Sequence, residues 1–203
     1  MAGWYACNMV SSSERRSDRR PAAPPGAAAA GAPRVRRAYF ESRYGQLHVH
    51  HVMPSGGGFD EATTVLCIPG APGSGRGYYG LLLALGRDRS MYAPDLPGSG
   101  ESDPAPPGAG AAEQASALSD FLDSMRFRRV HVIAQGTGNA IALALIESRR
   151  SVIGKLVASP SARLALPPGL PALQLDLHLS GESGSGVVAE PALQRLIDFL
   201  SMN

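Results

Sequence analysis

The sequence predicts an α/β fold in which helices flank a mostly parallel, doubly wound sheet. Short apolar runs, typical of strands buried on both faces, alternate along the chain with segments of helical periodicity. This alternation favours parallel strands that are joined by helical crossovers. Near the start, VRRAYFES and QLHVHHVM alternate in polarity around the turn RYG, which predicts an antiparallel opening to the same sheet.

Each later element is predicted by its own pattern. Buried strands are expected at TTVLCI, SMYAPD, RVHVIA and SVIGKLVAS. Helices are expected at YYGLLLALG, AAEQASALSDFLDSM, NAIALALIES and EPALQRLIDFLSM, the last with Pro191 near its first turn. Residues 160–190 are poorly defined because proline interrupts the pattern, although LQLDLHLS is compatible with a strand.

The chain divides into a basic tail, residues 1–34, and a folded domain, residues 35–203. The tail is rich in Ala, Pro, Gly, Ser and Arg, and such a segment buries too little apolar surface to order itself. Seven of the 19 basic and two of the 17 acidic residues precede residue 38, so 12 basic and 15 acidic residues remain. A mildly acidic body excludes the basic stripe of a nucleic-acid-binding surface.

Composition also limits the surroundings of the protein. No apolar run approaches the ~18 residues of a membrane span, and no hydrophobic leader follows the N-terminal arginines. The cysteines, Cys7 and Cys67, lie in the tail and in an apolar strand, which argues against a disulfide framework. We expect a cytoplasmic protein with a small-molecule ligand and no cofactor.

Three segments together resemble the α/β-hydrolase superfamily, in its esterase- and epoxide-hydrolase-like form. CIPGAPGSGRGYYGLLLALG resembles the exit from strand three, YAPDLPGSGESD the Asp-x-x-Gly-x-Gly-x-Ser exit from strand four, and RVHVIAQGTGNAIALAL strand five with its following helix. The resemblance covers about residues 36 to 160. Members generally carry further strands and often a helical lid, whereas only about 45 residues follow here. The cap is therefore expected to be absent or vestigial, and the chain to be a shortened copy.

The resemblance places a substituted nucleophile elbow at HVIAQGTGNAI. The family pattern Gly-x-nucleophile-x-Gly puts Gly136 at the nucleophile position, where it supplies no reacting side chain. The backbone N–H of Thr137 would be one oxyanion donor and that of Ala71, after Gly70, the other. Thr137 is also the nearest hydroxyl, and Gln135 could help it to hold a water molecule.

The rest of a triad is harder to place. His178 follows the elbow, and Asp176 would share its face if LQLDLHLS were a strand. A solvent-facing strand position is the alternative for this pair. Two functions stay open on this resemblance: a hydrolase-like protein for small esters that lacks ordinary serine-triad catalysis, and a non-catalytic protein that binds a ligand or partner. An NAD(P)-binding Rossmann protein is the less favoured third.

Two other sites were weighed against this resemblance. The glycines of Gly75-Arg-Gly-Tyr-Tyr-Gly80 fit a dinucleotide fingerprint with Asp95 as its acid, but about six residues separate them from the preceding strand. His48 and His50 share one strand face, yet no carboxylate or cysteine stands at ligand spacing in the sequence. We expect an exposed strand there and no metal site.

Overall fold

The fold was examined in a computed structural model that describes residues 32–54, 62–70, 74–159, 164–177, 179 and 188–202. Its seven strands are β1 Arg36–Ser42, β2 Gly45–Val52, β3 Val65–Ile68, β4 Met91–Pro94, β5 Val130–Gln135, β6 Ile153–Ser159 and β7 Ala172–Gln174. Its four α-helices are α1 Tyr79–Leu85, α2 Ala111–Ser124, α3 Gly138–Arg149 and α4 Glu190–Ser201.

All seven strands belong to one sheet, in the order β1-β2-β4-β3-β5-β6-β7. The pairs β1–β2 and β2–β4 are antiparallel, and every other pair is parallel. Parallel neighbours bring their carboxyl ends to the same edge of the sheet, which we call the carboxyl edge; the opposite one is the amino edge. The predicted α/β architecture with an antiparallel opening is confirmed.

Helices cover both faces of the sheet because the central strands are apolar on both sides. In β3, Leu66 and Ile68 belong to the core packed with α2 and α3, whereas Val65 and Cys67 belong to the core packed with α1 and α4. All four side chains are buried. This alternation explains why β3 is a continuous apolar run, and it confirms the expected buried position of Cys67.

The helices form where their apolar spacing predicts them. In α2, Leu118, Phe121 and Leu122 are buried on one face, which agrees with the helical periodicity of this segment. A 3₁₀ turn, Gly75–Tyr78, precedes α1, and Pro191 lies in the first turn of α4. No helix among the described residues is long and apolar enough to cross a membrane.

The segment after β6 differs from its prediction. LQLDLHLS is compatible with a strand, but β7 ends at Gln174, and the exposed Asp176 lies beyond it. The shared face of Asp176 and His178 stays a prediction. His178 itself, and residues 1–31 of the predicted tail, lie outside the described residues.

Candidate functional site

The turn between β5 and α3 places Gly136 at the carboxyl edge in a left-handed conformation, with φ of +54°. The Gly136 N–H donates to the carbonyl of Ser159 at 3.1 Å, and the Gly136 carbonyl accepts from Asn139 Nδ2 at 2.8 Å. A Cβ built on Gly136 would have no atom of the described residues within 4 Å, apart from its own chain neighbours. Hydrogen bonds thus fix the backbone here, while no described residue crowds the position of a side chain.

The end of β3 packs closely against this turn. A Cβ on Gly70 would lie 3.0 Å from the Gln135 carbonyl oxygen and 3.3 Å from the Thr137 nitrogen. A Cβ on Gly138 would lie 2.6 Å from the carbonyl oxygens of both Ile68 and Pro69. Glycine at these positions lets two backbone segments approach each other, which any side chain would prevent.

Thr137 lies at the start of α3 and at the wall of a small cavity. It is the N-cap residue of α3 and is exposed, and its side chain makes no capping hydrogen bond. The cavity has a volume of about 250 Å³, and Gly136 is not among the residues that line it. Thr137 shares the lining with Leu96, Ser99, Ala109, Gly110, Ala111, Gln114, Ala140 and Ile141.

Ser159, at the end of β6, connects this turn to the segment after β7. Its carbonyl accepts from the Gly136 N–H, and its hydroxyl accepts from the Leu177 N–H at 3.0 Å. The stretch that contains Asp176 therefore runs next to the turn. Ser159 and Asn139 were both missed by the sequence analysis, because neither carries a motif signal and their role depends on strand order.

Asp95, at the exit of β4, is the most heavily hydrogen-bonded side chain of this edge. Its Oδ1 accepts from the Ser74 hydroxyl at 2.5 Å and from the Gly75 N–H at 2.7 Å. Its Oδ2 accepts from the Glu101 N–H at 2.9 Å and lies 2.9 Å from His48 Nδ1. Burial alone would raise the pKa of Asp95, but these hydrogen bonds outweigh it and hold the pKa below its usual value.

These contacts give Asp95 a structural role and oppose the dinucleotide reading. In a dinucleotide fold, the glycine-rich turn leaves its N–H groups open to a pyrophosphate and its acid open to a ribose. Here the Gly75 N–H is bound to Asp95 instead. The carboxylate joins the turns before α1 and after β4.

The expectation of an exposed strand at His48 and His50 is wrong. The two side chains are only 1% and 4% exposed, and Asp95 approaches them from the exit of β4, the strand paired with their own strand β2. Their ligand atoms all lie within 4.8 Å of one another. Both Asp95 oxygens already accept hydrogen bonds from the protein, so the cluster is explained as a buried polar network.

Burial also affects the histidines of this cluster. It lowers the pKa of His50, which favours the neutral imidazole. The absence of a metal, expected from the sequence, stays a prediction.

The structure thus brings together part of the predicted site. Gly70, Gln135, Gly136 and Thr137 meet where β3 and β5 end. Asp176 runs in a neighbouring segment. Ala71, like His178, lies outside the described residues.

Comparison with known proteins gives a consistent family. Residues 65–201 match the sequence model described as the alpha/beta hydrolase family. The chain is 31% identical over 145 residues to a protein named putative carbamate hydrolase RutD, from Yersinia enterocolitica. That match covers 70% of this chain and 52% of the relative, so this chain spans about half the length of that protein.

Solved structures share the fold at lower identity. Cfl2 from Burkholderia cenocepacia superimposes with a TM-score of 0.56 at 22% identity, over 66% of this chain and 47% of that one. Epoxide hydrolase CorEH superimposes with a TM-score of 0.57 at 17% identity, over 68% of this chain and 48% of that one. At these identities the likeness concerns the fold alone.

Proposed function

Because the chain belongs to the α/β hydrolase family, we propose that it binds a small ester or related carbonyl compound at the turn around Gly136, without ordinary serine-triad catalysis. The observation that carries this proposal is Gly136 itself. It has a left-handed backbone, as a nucleophile elbow requires, and no described residue crowds the position of a side chain there. The position is ready for a nucleophile, and the residue there has none.

In this proposal, glycine at position 136 removes the reacting side chain but keeps the backbone geometry of the turn. Removing the nucleophile of a catalytic triad lowers the rate by several orders of magnitude, although the remaining oxyanion contacts keep some catalysis. The backbone around Gly136 supports retention of those contacts. Thr137 contributes an N–H at the beginning of α3, and Gly70 lies against it. The N–H of Ala71 would complete the pair of donors.

The ligand class follows from the cavity and from the relatives. A volume of about 250 Å³ lies below the range of about 300–1,000 Å³ typical of drug-sized ligands, so a small ligand fits best. The lining is largely aliphatic, with polar groups from Ser99, Gln114 and Thr137. The name of the relative, carbamate hydrolase, also denotes a small carbonyl substrate.

A second function would use the threonine as a weak substitute for the missing nucleophile. Thr137 is exposed and lines the cavity, which favours this candidate. Either its hydroxyl or a water molecule held by Gln135 and Thr137 would attack the carbonyl, with Asp176 and His178 as acid and base. Slow ester hydrolysis that is lost in Thr137→Val and kept in Thr137→Ser would support this function over simple binding.

The absence of a nucleophile is tested with a fluorophosphonate probe, which labels activated serines. We expect no labelling of the wild-type protein at the turn. Gly136→Ser should become labelled if a histidine still reaches the turn, and Gly136→Ala is the matched control. Labelling of the wild-type protein at this turn, located by peptide mass spectrometry, would overturn the proposal. An unlabelled Gly136→Ser variant would show that the histidine is missing as well.

Ligand binding is tested separately by filling the cavity. Ala140 is an exposed lining residue on α3, so Ala140→Leu should weaken binding of a small ester such as ethyl butyrate, followed by saturation-transfer NMR. Ala112→Leu is the control, because Ala112 is also exposed on a helix but does not line the cavity. Equal binding by both variants would place the ligand elsewhere.

A further inference from the structure

A second cavity, of about 560 Å³, opens at the amino edge of the sheet, away from Gly136. Its walls come from residues next to the beginnings of β3, β4, β5 and β6 and from the end of α4. Nothing in the proposed function uses this cavity. It differs from the cavity beside Thr137 in its charged side chains.

The walls of this cavity are basic. Arg89, Arg129 and Lys155 line it, and Asp88 is the acid among the lining residues. Arg89 and Lys155 are only 7% and 5% exposed. Buried cations are costly unless an anion or hydrogen-bond acceptors compensate them. Among the described lining residues, two arginines and a lysine stand against one acid, which leaves an excess of positive charge there.

Two buried nitrogen atoms at this cavity lack a partner among the described residues. They are Arg89 Nη1 and His131 Nδ1, and the side chain of His131 is 4% exposed. Native proteins pair nearly all of their buried polar atoms, so such orphans call for an explanation. Arg89 Nη1 is a donor in every protonation state, and His131 Nδ1 can be one. Both could therefore bind the same type of acceptor.

Gly154 leaves room for these groups to converge. A Cβ on Gly154 would lie 2.6 Å from Arg129 Nε and 2.9 Å from His131 Nδ1. Both nitrogens therefore approach one point, which only a residue without a side chain leaves open. The arrangement is a cradle of donors at the beginning of β6.

Lys155 is fixed at the same cavity by the end of α4. Its Nζ donates to the carbonyl of Phe199 at 2.7 Å and also to that of Met202. The ammonium thus keeps a constant position, although its hydrogen-bonding capacity is largely used. Lys155 therefore contributes mainly its positive charge. Because its ammonium is already held in place, it attracts an anion without further ordering of the side chain.

The positive field of the cavity is visible in its titratable groups. Burial, together with the charges of Lys155, Arg129 and Arg89, lowers the pKa of His131 to about 4. Burial and the two arginines also lower the pKa of Lys155. A bound anion would reverse the electrostatic part of both shifts.

From this cavity, its orphaned donors and its excess of cations, we infer a binding site for a small oxyanion, a phosphate or carboxylate group, at the amino edge. The guanidinium of Arg89 offers planar donors that match either group. Arg129, just before β5, and His131, in β5, converge beside Gly154. Lys155 adds a fixed positive charge. The site is separate from the turn around Gly136, and its occupancy does not depend on catalysis there.

The inference is tested by calorimetric titration with pyrophosphate, inorganic phosphate and succinate, at ionic strength held constant with sodium chloride. We expect saturable binding of at least one of these anions, and the ranking of phosphates against succinate identifies the preferred group. Binding should also raise the pKa of His131, followed by NMR. No saturable heat with any of the three would overturn the inference.

Two variant pairs separate a built site from general surface charge. Arg89→Gln and Arg129→Gln should each weaken binding roughly tenfold or more, as expected for loss of a charged hydrogen bond. Arg87→Gln and Arg128→Gln are the controls, because these exposed arginines are close in sequence but do not line the cavity. Arg129 is exposed, so its variant should fold even if Arg89→Gln does not. Similar losses in control and test variants, or no loss in Arg129→Gln, would contradict the site.

Discussion

The carboxyl and amino edges of the sheet treat their charged groups in opposite ways. At the carboxyl edge, Asp95 accepts hydrogen bonds from two turns, and the described lining residues of the cavity beside Thr137 carry no charge. At the amino edge, Arg89 Nη1 and His131 Nδ1 remain without a partner among the described residues. At the carboxyl edge, the charge of Asp95 holds loops in place. At the amino edge, these nitrogen atoms are not used by the described residues.

The two edges therefore allow contributions to folding and contributions to ligand chemistry to be tested separately. At the carboxyl edge, glycines permit close backbone contacts and Asp95 holds the loops, independently of any reaction. At the amino edge, buried Lys155 binds carbonyls at the end of α4, whereas buried Arg89 keeps one nitrogen, Nη1, without a partner among the described residues.

The largest effect is expected from the removal of Asp95. Asp95→Ala leaves several buried donors unpaired, so we expect a loss of about 3–5 kcal/mol in the free energy of unfolding. Urea denaturation measures the loss. Glu147→Ala, at an exposed helical position, is the control and should change stability by less than about 0.5 kcal/mol. If the two variants were equally stable, Asp95 would not organise the carboxyl edge.

The second effect concerns His131, the buried histidine of the amino edge. Because the pKa of His131 falls to about 4 in the folded protein, the unfolded chain binds a proton first as the pH decreases. Stability should therefore fall between pH 6.5 and pH 4, by about 3 kcal/mol from this group alone. Denaturation across this range in the wild-type protein and in His131→Gln isolates the contribution.

Other titratable groups also change the free energy of unfolding at acid pH, but their contributions can be distinguished from that of His131. His50 and His51 also have lowered pKa values and lose stability in the same direction, yet both remain in His131→Gln. The lowered pKa of Asp95 affects stability only as the pH falls below the usual aspartate range. A variant with the same pH dependence as the wild-type protein would show that His131 is not a buried neutral base.

The fold could be predicted further from the sequence than the site could. Alternation of apolar runs and helical segments is a local signal, and it located β1 to β6 and all four helices. The end of β7 was not predicted, because its pairing with β6 ends at Gln174 and no residue there marks the change. Its apolar alternation continues past Gln174, with Leu175 and Leu177 buried.

The site depends on neighbours that are distant in sequence. The close approach of Gly70 and Gly138 was accessible through the family pattern. The burial of His48 was not, because Asp95 reaches it from another strand, 47 residues later. The basic cavity was missed for the same reason: Arg89, Arg129 and Lys155 precede or begin three different strands and meet only in the folded sheet.

The smallest effect distinguishes the two glycines of the turn. Gly138→Ala places a Cβ 2.6 Å from two backbone carbonyl oxygens, so we expect a loss of about 2–3 kcal/mol despite the better helix propensity of alanine. The Cβ of Gly136→Ala has no atom of the described residues within 4 Å. Its cost is therefore only the strain of alanine in a left-handed backbone conformation, roughly 1 kcal/mol. Urea denaturation of both variants measures the difference. If Gly136→Ala were the more damaging change, the space at this position would be filled in solution, and a nucleophile could not be restored there by substitution alone.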